Sequence, residues 1–170
     1  SIAGGTANVL TPYTFANPFD RRTPRSVQYV FNIQRELPGG MVTEIGYVGS
    51  FSRRLEGLRA VNESLPAPRA LGIPERLRAP FPEFGRIQLV DNGNNANYNS
   101  LGAKLTKRYS NGLTYLISYT YAKSIDTNSA IRNQGGDTLF PQNSYCRQCE
   151  RARSSFDTRH RYVTSAQWEL

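Results

Sequence analysis

Apolar residues occupy every second position along five stretches of the chain, and this period of two predicts β-strands with one apolar face. The first two stretches cover residues 25–37 and 41–47, and the turn sequence Pro38-Gly39-Gly40 separates them. A connection this short, with glycine available for a positive φ, predicts a tight hairpin. Arg35 is the exception to the alternation, and it lies near the end of its strand.

The second half of the chain repeats this organisation. Extended structure is predicted at 86–90, pauses at Asn92-Gly93-Asn94-Asn95 and resumes over 98–109, and Ser110-Asn111-Gly112 then predicts a second tight hairpin because Asn-Gly is the strongest local signal for one. Residues 113–121 alternate most regularly, and a last strand is predicted from Arg159 to the end. The asparagine-rich pause indicates a bulge or turn rather than a calcium site, since only Asp91 supplies a nearby carboxylate.

Polar stretches at about 1–24, 50–84 and 123–157 are predicted to be loops. Loops of this length are uncommon in compact soluble domains. Tight turns that alternate with long loops, joined by strands of roughly ten residues, are typical of membrane barrels with short periplasmic turns and extended external loops. The sequence therefore predicts an all-β fold: an antiparallel transmembrane β-barrel segment of about five strands with long irregular external loops.

Alternation alone also fits a soluble sheet with one solvated face, so a soluble β-domain stays open on pattern. In the barrel interpretation the apolar face contacts hydrocarbon, because only a closed barrel exposes apolar strands to lipid without leaving backbone groups unpaired. Lys104 and Arg108 would then point into a polar lumen. The residues predicted to face lipid are Leu101, Leu105, Leu113, Tyr115, Ile117, Tyr119, Ala166 and Trp168.

Aromatic residues near predicted strand ends fit the girdles that barrels place at the two membrane interfaces. They are also explained as half-buried cross-strand aromatics of an ordinary sheet. The chain holds ten tyrosines and eight phenylalanines. The candidates for a girdle are Tyr47, Tyr109, Tyr121 and Trp168.

The formal net charge of +8 suggests an anionic partner such as nucleic acid, a membrane surface or an acidic glycolipid. All but three of the basic residues are arginines, whose planar fork binds phosphate in a bidentate way. If the long loops are external, we expect Arg147, Arg151 and Arg153 to contact the phosphates of lipopolysaccharide. Solvated loop charge is the simpler explanation.

The sequence predicts no catalytic site and no metal site, and we expect a protein that is not an enzyme and binds no cofactor. Cys146 and Cys149 lack a second cysteine pair, so they suggest a loop disulfide or unpaired thiols rather than a zinc or redox centre. Asp157 and His160 offer an acid and a base within Phe156-Asp157-Thr158-Arg159-His160-Arg161. Neighbouring strand residues point to opposite faces, however, and the expected role of this run is to start a strand.

A series of short motifs from about Pro24 onward resembles the Oar-like TonB-dependent receptors, which are common in acidobacteria. The order of the motifs is more specific than any single one. They are Ser26-Val27-Gln28-Tyr29, Asn32-Ile33-Gln34-Arg35-Glu36-Leu37, Gly46-Tyr47-Val48-Gly49-Ser50, Asn97-Tyr98-Asn99-Ser100-Leu101, Lys107-Arg108, Gly112-Leu113, Ser118-Tyr119-Thr120-Tyr121-Ala122-Lys123-Ser124-Ile125-Asp126 and Phe156-Asp157-Thr158-Arg159-His160-Arg161.

This resemblance implies a barrel-wall segment in the outer membrane of a Gram-negative bacterium, where a large nutrient such as a glycan or metal chelate is bound or imported. Members of this class are long proteins with a carboxypeptidase-regulatory-like N-terminal module, a plug and a barrel of about 22 strands. We expect residues 1–170 to be a partial barrel domain of such a protein, one that meets TonB only through the missing plug. The expected partners are membrane lipid and lipopolysaccharide, with no nucleic acid. The alternative is a soluble basic β-domain that binds nucleic acid or glycan.

Overall fold

One β-sheet organises the chain, and the computed structural model describes residues 14–65, 72–130 and 140–169 of it. The five predicted strands are present, and two short strands accompany them. The strands are β1 (Thr14–Ala16), β2 (Arg25–Leu37), β3 (Met41–Ala60), β4 (Ile87–Ser110), β5 (Leu113–Asp126), β6 (Ala152–Arg153) and β7 (His160–Trp168), with single-turn 3-10 helices at Glu75–Arg78 and Arg147–Glu150.

The sheet is an antiparallel meander in the order β2-β3-β4-β5, and both β6 and β7 pair with the far edge of β5. The exception is β1, which runs parallel to the first three residues of β4, in the stretch that β5 does not reach. Within the described residues β2 pairs only with β3 and β7 only with β5, so the sheet is open. The all-β antiparallel prediction is confirmed.

Both tight hairpins form as the sequence predicts. Gly39 and Gly40 have φ values of 83° and 73°, and Asn111 and Gly112 have values of 55° and 75°. In the two-residue loop Asn111-Gly112, two successive positive φ angles are the requirement of the turn that matches the right-handed twist of the flanking strands, whereas Pro38-Gly39-Gly40 is a three-residue loop between Leu37 and Met41. Because the strands are antiparallel and in sequence order, both tight hairpins lie at one end of the sheet and the long connections lie at the other.

The predicted loop boundaries are wrong at several points, because strands continue into the polar stretches. β3 extends to Ala60 rather than ending near residue 50, and it pairs there with the beginning of β4. β5 continues to Asp126, and β6 and β1 add short strands inside the loops predicted at 123–157 and 1–24. Hydrogen bonds between backbones stabilise these extensions, so they need no apolar alternation. Residues 1–13, 66–71, 131–139 and 170 of the predicted loops and last strand lie outside the described residues.

The predicted pause at Asn92-Gly93-Asn94-Asn95 does not interrupt β4, but the predicted bulge is confirmed. The register between β3 and β4 shifts twice, between Arg53 and Leu55 and between Leu55 and Gly57, opposite these asparagines. Bulges of this kind bend a strand and re-aim its side chains.

Strand registers place the eight residues predicted to face lipid on one face of the sheet. Leu105 lies opposite Ile117, and Leu113 lies opposite Trp168. Leu101, Tyr119 and Trp168 on this face are solvent-exposed, at 53%, 41% and 70%, whereas Leu105, Leu113 and Ile117 are half-buried. The other face carries Ser100, Lys104 and Ser118. Contact of the apolar face with lipid itself stays a prediction.

Aromatic side chains on the same face pair across strands, which is the second explanation that the sequence allowed. The Tyr29 and Tyr47 rings stack with centroids 6.0 Å apart, and both hydroxyls donate to Asn99 Oδ1, at 3.1 and 2.8 Å. Tyr121 packs on His160 with a centroid distance of 5.2 Å. An aromatic at an interface can still pair with its cross-strand neighbour, so the interfacial girdle stays a prediction.

The sheet has almost no apolar core. Among the described residues only Ala60 and Ala122 are buried hydrophobic side chains, whereas eight buried residues are polar or charged. A soluble sheet packs one face into a hydrophobic core, so this distribution does not support a soluble β-domain. None of the described helices has the length and apolar character needed to cross a membrane.

Candidate functional site at the loop end

β3 and β4 extend far past their neighbours at the end of the sheet that carries the long connections. β4 has 24 residues and spans about 80 Å at roughly 3.3 Å per residue. A tilted strand needs only about 9–11 residues to cross a bilayer. β4 is thus more than twice as long as a bilayer crossing requires, and the buried polar residues Gln88, Asp91 and Asp126 lie at this end.

Asp91 is the centre of a polar cluster that includes Arg59 and Arg147, and it is only 7% exposed. Its Oδ2 atom lies 3.1 Å from Arg59 Nε and contacts Arg147 Nη2 directly. A buried carboxylate needs such partners, since removing it from water without them is strongly unfavourable. Gly93 makes the second contact possible, because a Cβ atom at this position would overlap the Arg147 guanidinium.

Arg147 reaches Asp91 from a turn that a disulfide closes. Cys146 and Cys149 are bonded, with their Cα atoms 5.4 Å apart, so the structure forms the loop disulfide rather than unpaired thiols. Within the same turn the Cys149 N–H donates to the Cys146 carbonyl at 3.1 Å. Glu150 Oε1 accepts from the Asn143 N–H at 2.9 Å, which ties the turn to the preceding segment.

Hydrogen bonds of Asp157 hold the connection between β6 and β7 against β5. Its side chain is 2% exposed, and its Oδ1 atom accepts from the Ser124 N–H at 2.7 Å. Arg153 Nε donates to Oδ2 at 3.0 Å. The backbone hydrogen bond from Ser124, and then the neighbouring Arg153 and Arg159, lower the pKa of the Asp157 carboxyl below its ordinary value, although burial opposes the shift.

The acid and the base of the Phe156–Arg161 run engage different partners. Asp157 binds Ser124 and Arg153, whereas His160 Nδ1 hydrogen-bonds the Tyr119 hydroxyl at 2.8 Å. His160 begins β7, as the sequence predicts for this run. Within the described residues no group of three or more His, Cys, Asp or Glu side chains is placed to hold a metal ion.

Asn62 organises the loop that follows β3. Its Nδ2 atom donates to the carbonyls of Phe81, Phe84 and Gly85 at 2.8–3.1 Å, and its Oδ1 atom accepts from the Phe81 N–H at 2.8 Å. Asn62 is 8% exposed, so these bonds are shielded from water. Asn62 thus connects the start of this loop to its end, and Ser64, Arg76 and Arg78 add further side-chain bonds to backbone carbonyls.

The three arginines proposed for lipopolysaccharide have different surroundings. Arg147 and Arg153 are paired with Asp91 and Asp157, while Arg151 is exposed. Arg147 and Arg153 also line a cleft of about 210 Å³, which we call the polar cleft. Its other polar residues include Asp91, Asn94, Asp126, Asn128 and Glu150.

Sequence analysis missed Asp91, Arg59 and Gly93 as members of one cluster, and it missed the role of Asn62 in the loop after β3. The Asp91–Arg147 contact joins residues 56 positions apart, and no local pattern signals it. The Asn92–Asn95 bulge was the available signal, because bulges gather where side chains are re-aimed towards a site.

Comparison with known proteins agrees with the architecture. The sequence profile of the family described as "Outer membrane beta barrel domain" matches residues 1–170. The chain matches no curated protein and no solved structure. Because the matched region covers every residue, the chain belongs to the outer-membrane β-barrel domain family, and its sheet is part of a barrel wall in the outer membrane of a Gram-negative bacterium.

Proposed function

We propose that this barrel wall belongs to a TonB-dependent receptor of the Oar-like type, which binds or imports a large nutrient such as a glycan or metal chelate and catalyses no reaction. The observation that carries the proposal is the ordered motif series between residues 26 and 161. Its motifs fall on β2, β3, β4, β5 and β7, the strands that form the wall. A shared wall sequence suggests a shared barrel and a shared mode of transport.

The loop end supplies a cleft of about 210 Å³ that can hold one polar group of such a ligand. The polar cleft presents carboxylate, amide and guanidinium groups, including Asp126, Asn94 and Arg153. Groups of this kind bind hydroxyl-rich or chelated ligands through several directed hydrogen bonds, and arginine adds bidentate contacts. Residues of β3, β4 and β5 line the cleft together with residues of the connection that follows β5.

Energy coupling in this proposal depends on a plug and on TonB, which act through parts of the protein other than these strands. The wall residues hold the lumen open and the cleft outside the membrane. Lipopolysaccharide is the proposed second partner, and Arg151 is the residue most available to it because it is exposed. Arg153 is 54% exposed and can contribute while it is paired with Asp157.

Uptake by cells that express the full-length gene product tests the proposal. Labelled oligosaccharides and ferric chelates should accumulate only when the barrel is present and TonB is functional. The variant Asp126→Asn should weaken ligand binding, whereas Arg108→Gln, at the opposite end of β4, should leave it unchanged. Accumulation that persists in a strain lacking TonB would reject TonB-dependent transport while leaving the barrel-wall assignment intact.

Binding to lipopolysaccharide micelles tests the second partner. Replacing Arg147, Arg151 and Arg153 together by Gln should weaken binding of the full-length protein, and most of the loss should already occur with Arg151→Gln. Unchanged binding by the triple variant would reject this contact and would not affect the transport proposal.

A further inference from the structure

A second cleft at the loop end is lined by arginines from three separate parts of the chain. Arg22 precedes β2, Arg54 and Arg59 belong to β3, and Arg147 comes from the disulfide-closed turn. We call it the arginine cleft, and its volume is about 280 Å³. This volume lies at the small end of the range for ligand sites and suits a single charged group better than a large molecule.

The charges in the arginine cleft do not balance. Four arginines line it, and the carboxylates among its described lining residues are Asp20 and Asp91, so two positive charges remain in excess. Asp91 already contacts both Arg59 and Arg147. Within the part of the chain that the structure describes, the side chains of Arg22 and Arg54 form no ion pair. Gathering like charges is unfavourable unless an anion offsets it.

Arg54 reaches this position through an unusual backbone conformation. Its φ is 59°, in the left-handed region that non-glycine residues seldom adopt, and it lies at the first register shift between β3 and β4. Such strain persists only where the surrounding structure enforces it, and it is concentrated at binding sites. The bulge places the Arg54 side chain among the other arginines of the cleft instead of leaving it in register with β4.

We propose that the arginine cleft binds a phosphoryl group. The planar guanidinium fork matches phosphate oxygens in a bidentate way, and Arg22 and Arg54 are the two forks without a carboxylate partner in the described chain. The phosphoryl group can belong to a soluble phosphate ester or to the headgroup region of lipopolysaccharide. The site does not depend on energy-coupled transport, because a barrel of any function can hold an anion at its loop end.

Binding of inorganic pyrophosphate to the full-length protein in detergent tests the proposal. The variants are Arg22→Gln and Arg54→Gln, singly and together, and the matched control is Arg25→Gln, which removes the same charge from an exposed position at the same end but not from the cleft. Each cleft variant should weaken pyrophosphate binding roughly tenfold, as expected for loss of a hydrogen bond between charged groups. Arg54→Lys should recover only part of the affinity, because it restores the charge without the fork.

A parallel measurement of the lipopolysaccharide that copurifies with each variant separates the two sources. Loss of pyrophosphate binding with unchanged lipopolysaccharide supports a soluble phosphate ester, and loss of retained lipopolysaccharide supports a lipid headgroup. Equal effects of Arg54→Gln and Arg25→Gln, or no effect of either on both readouts, would overturn the proposal. Resistance of the unheated variants to detergent denaturation verifies that each barrel is folded.

Discussion

Adjacent residues in β5 provide a direct test of which face of the sheet contacts lipid. Ile117 lies opposite Leu105 and Thr164, whereas Leu116 lies opposite Thr106 and Ser165 on the other face. Both side chains are aliphatic and half-buried. Ile117→Lys and Leu116→Lys are therefore matched substitutions that differ in the face onto which the charge is placed.

The expected difference follows from the position of each residue. A lysine on the lipid face near the bilayer midplane destabilises a barrel by about 2–4 kcal/mol. A lysine facing a wet interior is expected to change stability by about 1 kcal/mol or less, as at other solvated positions. The difference of at least about 1–3 kcal/mol corresponds to roughly a fivefold to 150-fold change in the folding equilibrium.

Depth gives the same experiment an internal calibration. Leu113 is on the face of Ile117 but about 14 Å further along the strand, at about 3.4 Å per residue, beside the Asn111–Gly112 turn. A lysine there lies near the interface, where the expected loss is about 0–1 kcal/mol. The destabilisation should therefore decrease from Ile117→Lys to Leu113→Lys.

Denaturant titration of the full-length protein in lipid vesicles measures these differences as free energies of unfolding. The reasoning requires Ile117→Lys to be the most destabilising of the three variants. If Leu116→Lys were equally or more destabilising, the assignment of faces would be refuted, because the polar face would then be the one in contact with hydrocarbon.

Three further perturbations address the loop end. Reduction of the disulfide, or Cys149→Ser, should release Arg147 from Asp91 and accelerate tryptic cleavage after Arg147 while the strands stay protected; an unchanged cleavage rate would show that the turn holds without the bond. The lowered pKa of Asp157 predicts a contribution to stability that is fully present above pH 3.8, the ordinary pKa of this group, and that is lost as pH falls through the lower folded-state pKa. Hydrogen exchange of the Ser124 amide should become faster over that pH range, and Asp157→Asn should abolish this pH dependence. Asn62→Leu removes the buried hydrogen bonds to the loop at 81–85 and should destabilise that loop by about 1–3 kcal/mol, seen as faster local hydrogen exchange, whereas equal exchange in both proteins would contradict the role of Asn62.

The parts of the fold that local chemistry determines could be predicted from the sequence. The Asn111–Gly112 hairpin follows from residues that tolerate positive φ, and the two faces of β5 follow from the period of two. The family assignment supports the barrel to which these features pointed.

The extensions of β3 and β4 could not be predicted in the same way. Residues 51–60 have charged side chains at both odd and even positions, so no apolar alternation marks them as a strand. Backbone pairing with β4 stabilises this part of β3 instead. The Asp91–Arg147 contact likewise arises only after the ribbon has brought distant segments together. Polar sites assembled from several loops are for this reason less visible in a sequence than strands are.

The two register shifts between Arg53 and Gly57 divide the β3–β4 ribbon into two segments. On one side the ladder is regular from Ser52 down to Met41, and on the other it carries the clefts. A bulge bends its strand and interrupts the ladder of backbone hydrogen bonds. Fewer backbone hydrogen bonds therefore join the outer, cleft-bearing part to the regular part of the ribbon than a continuous ladder would provide.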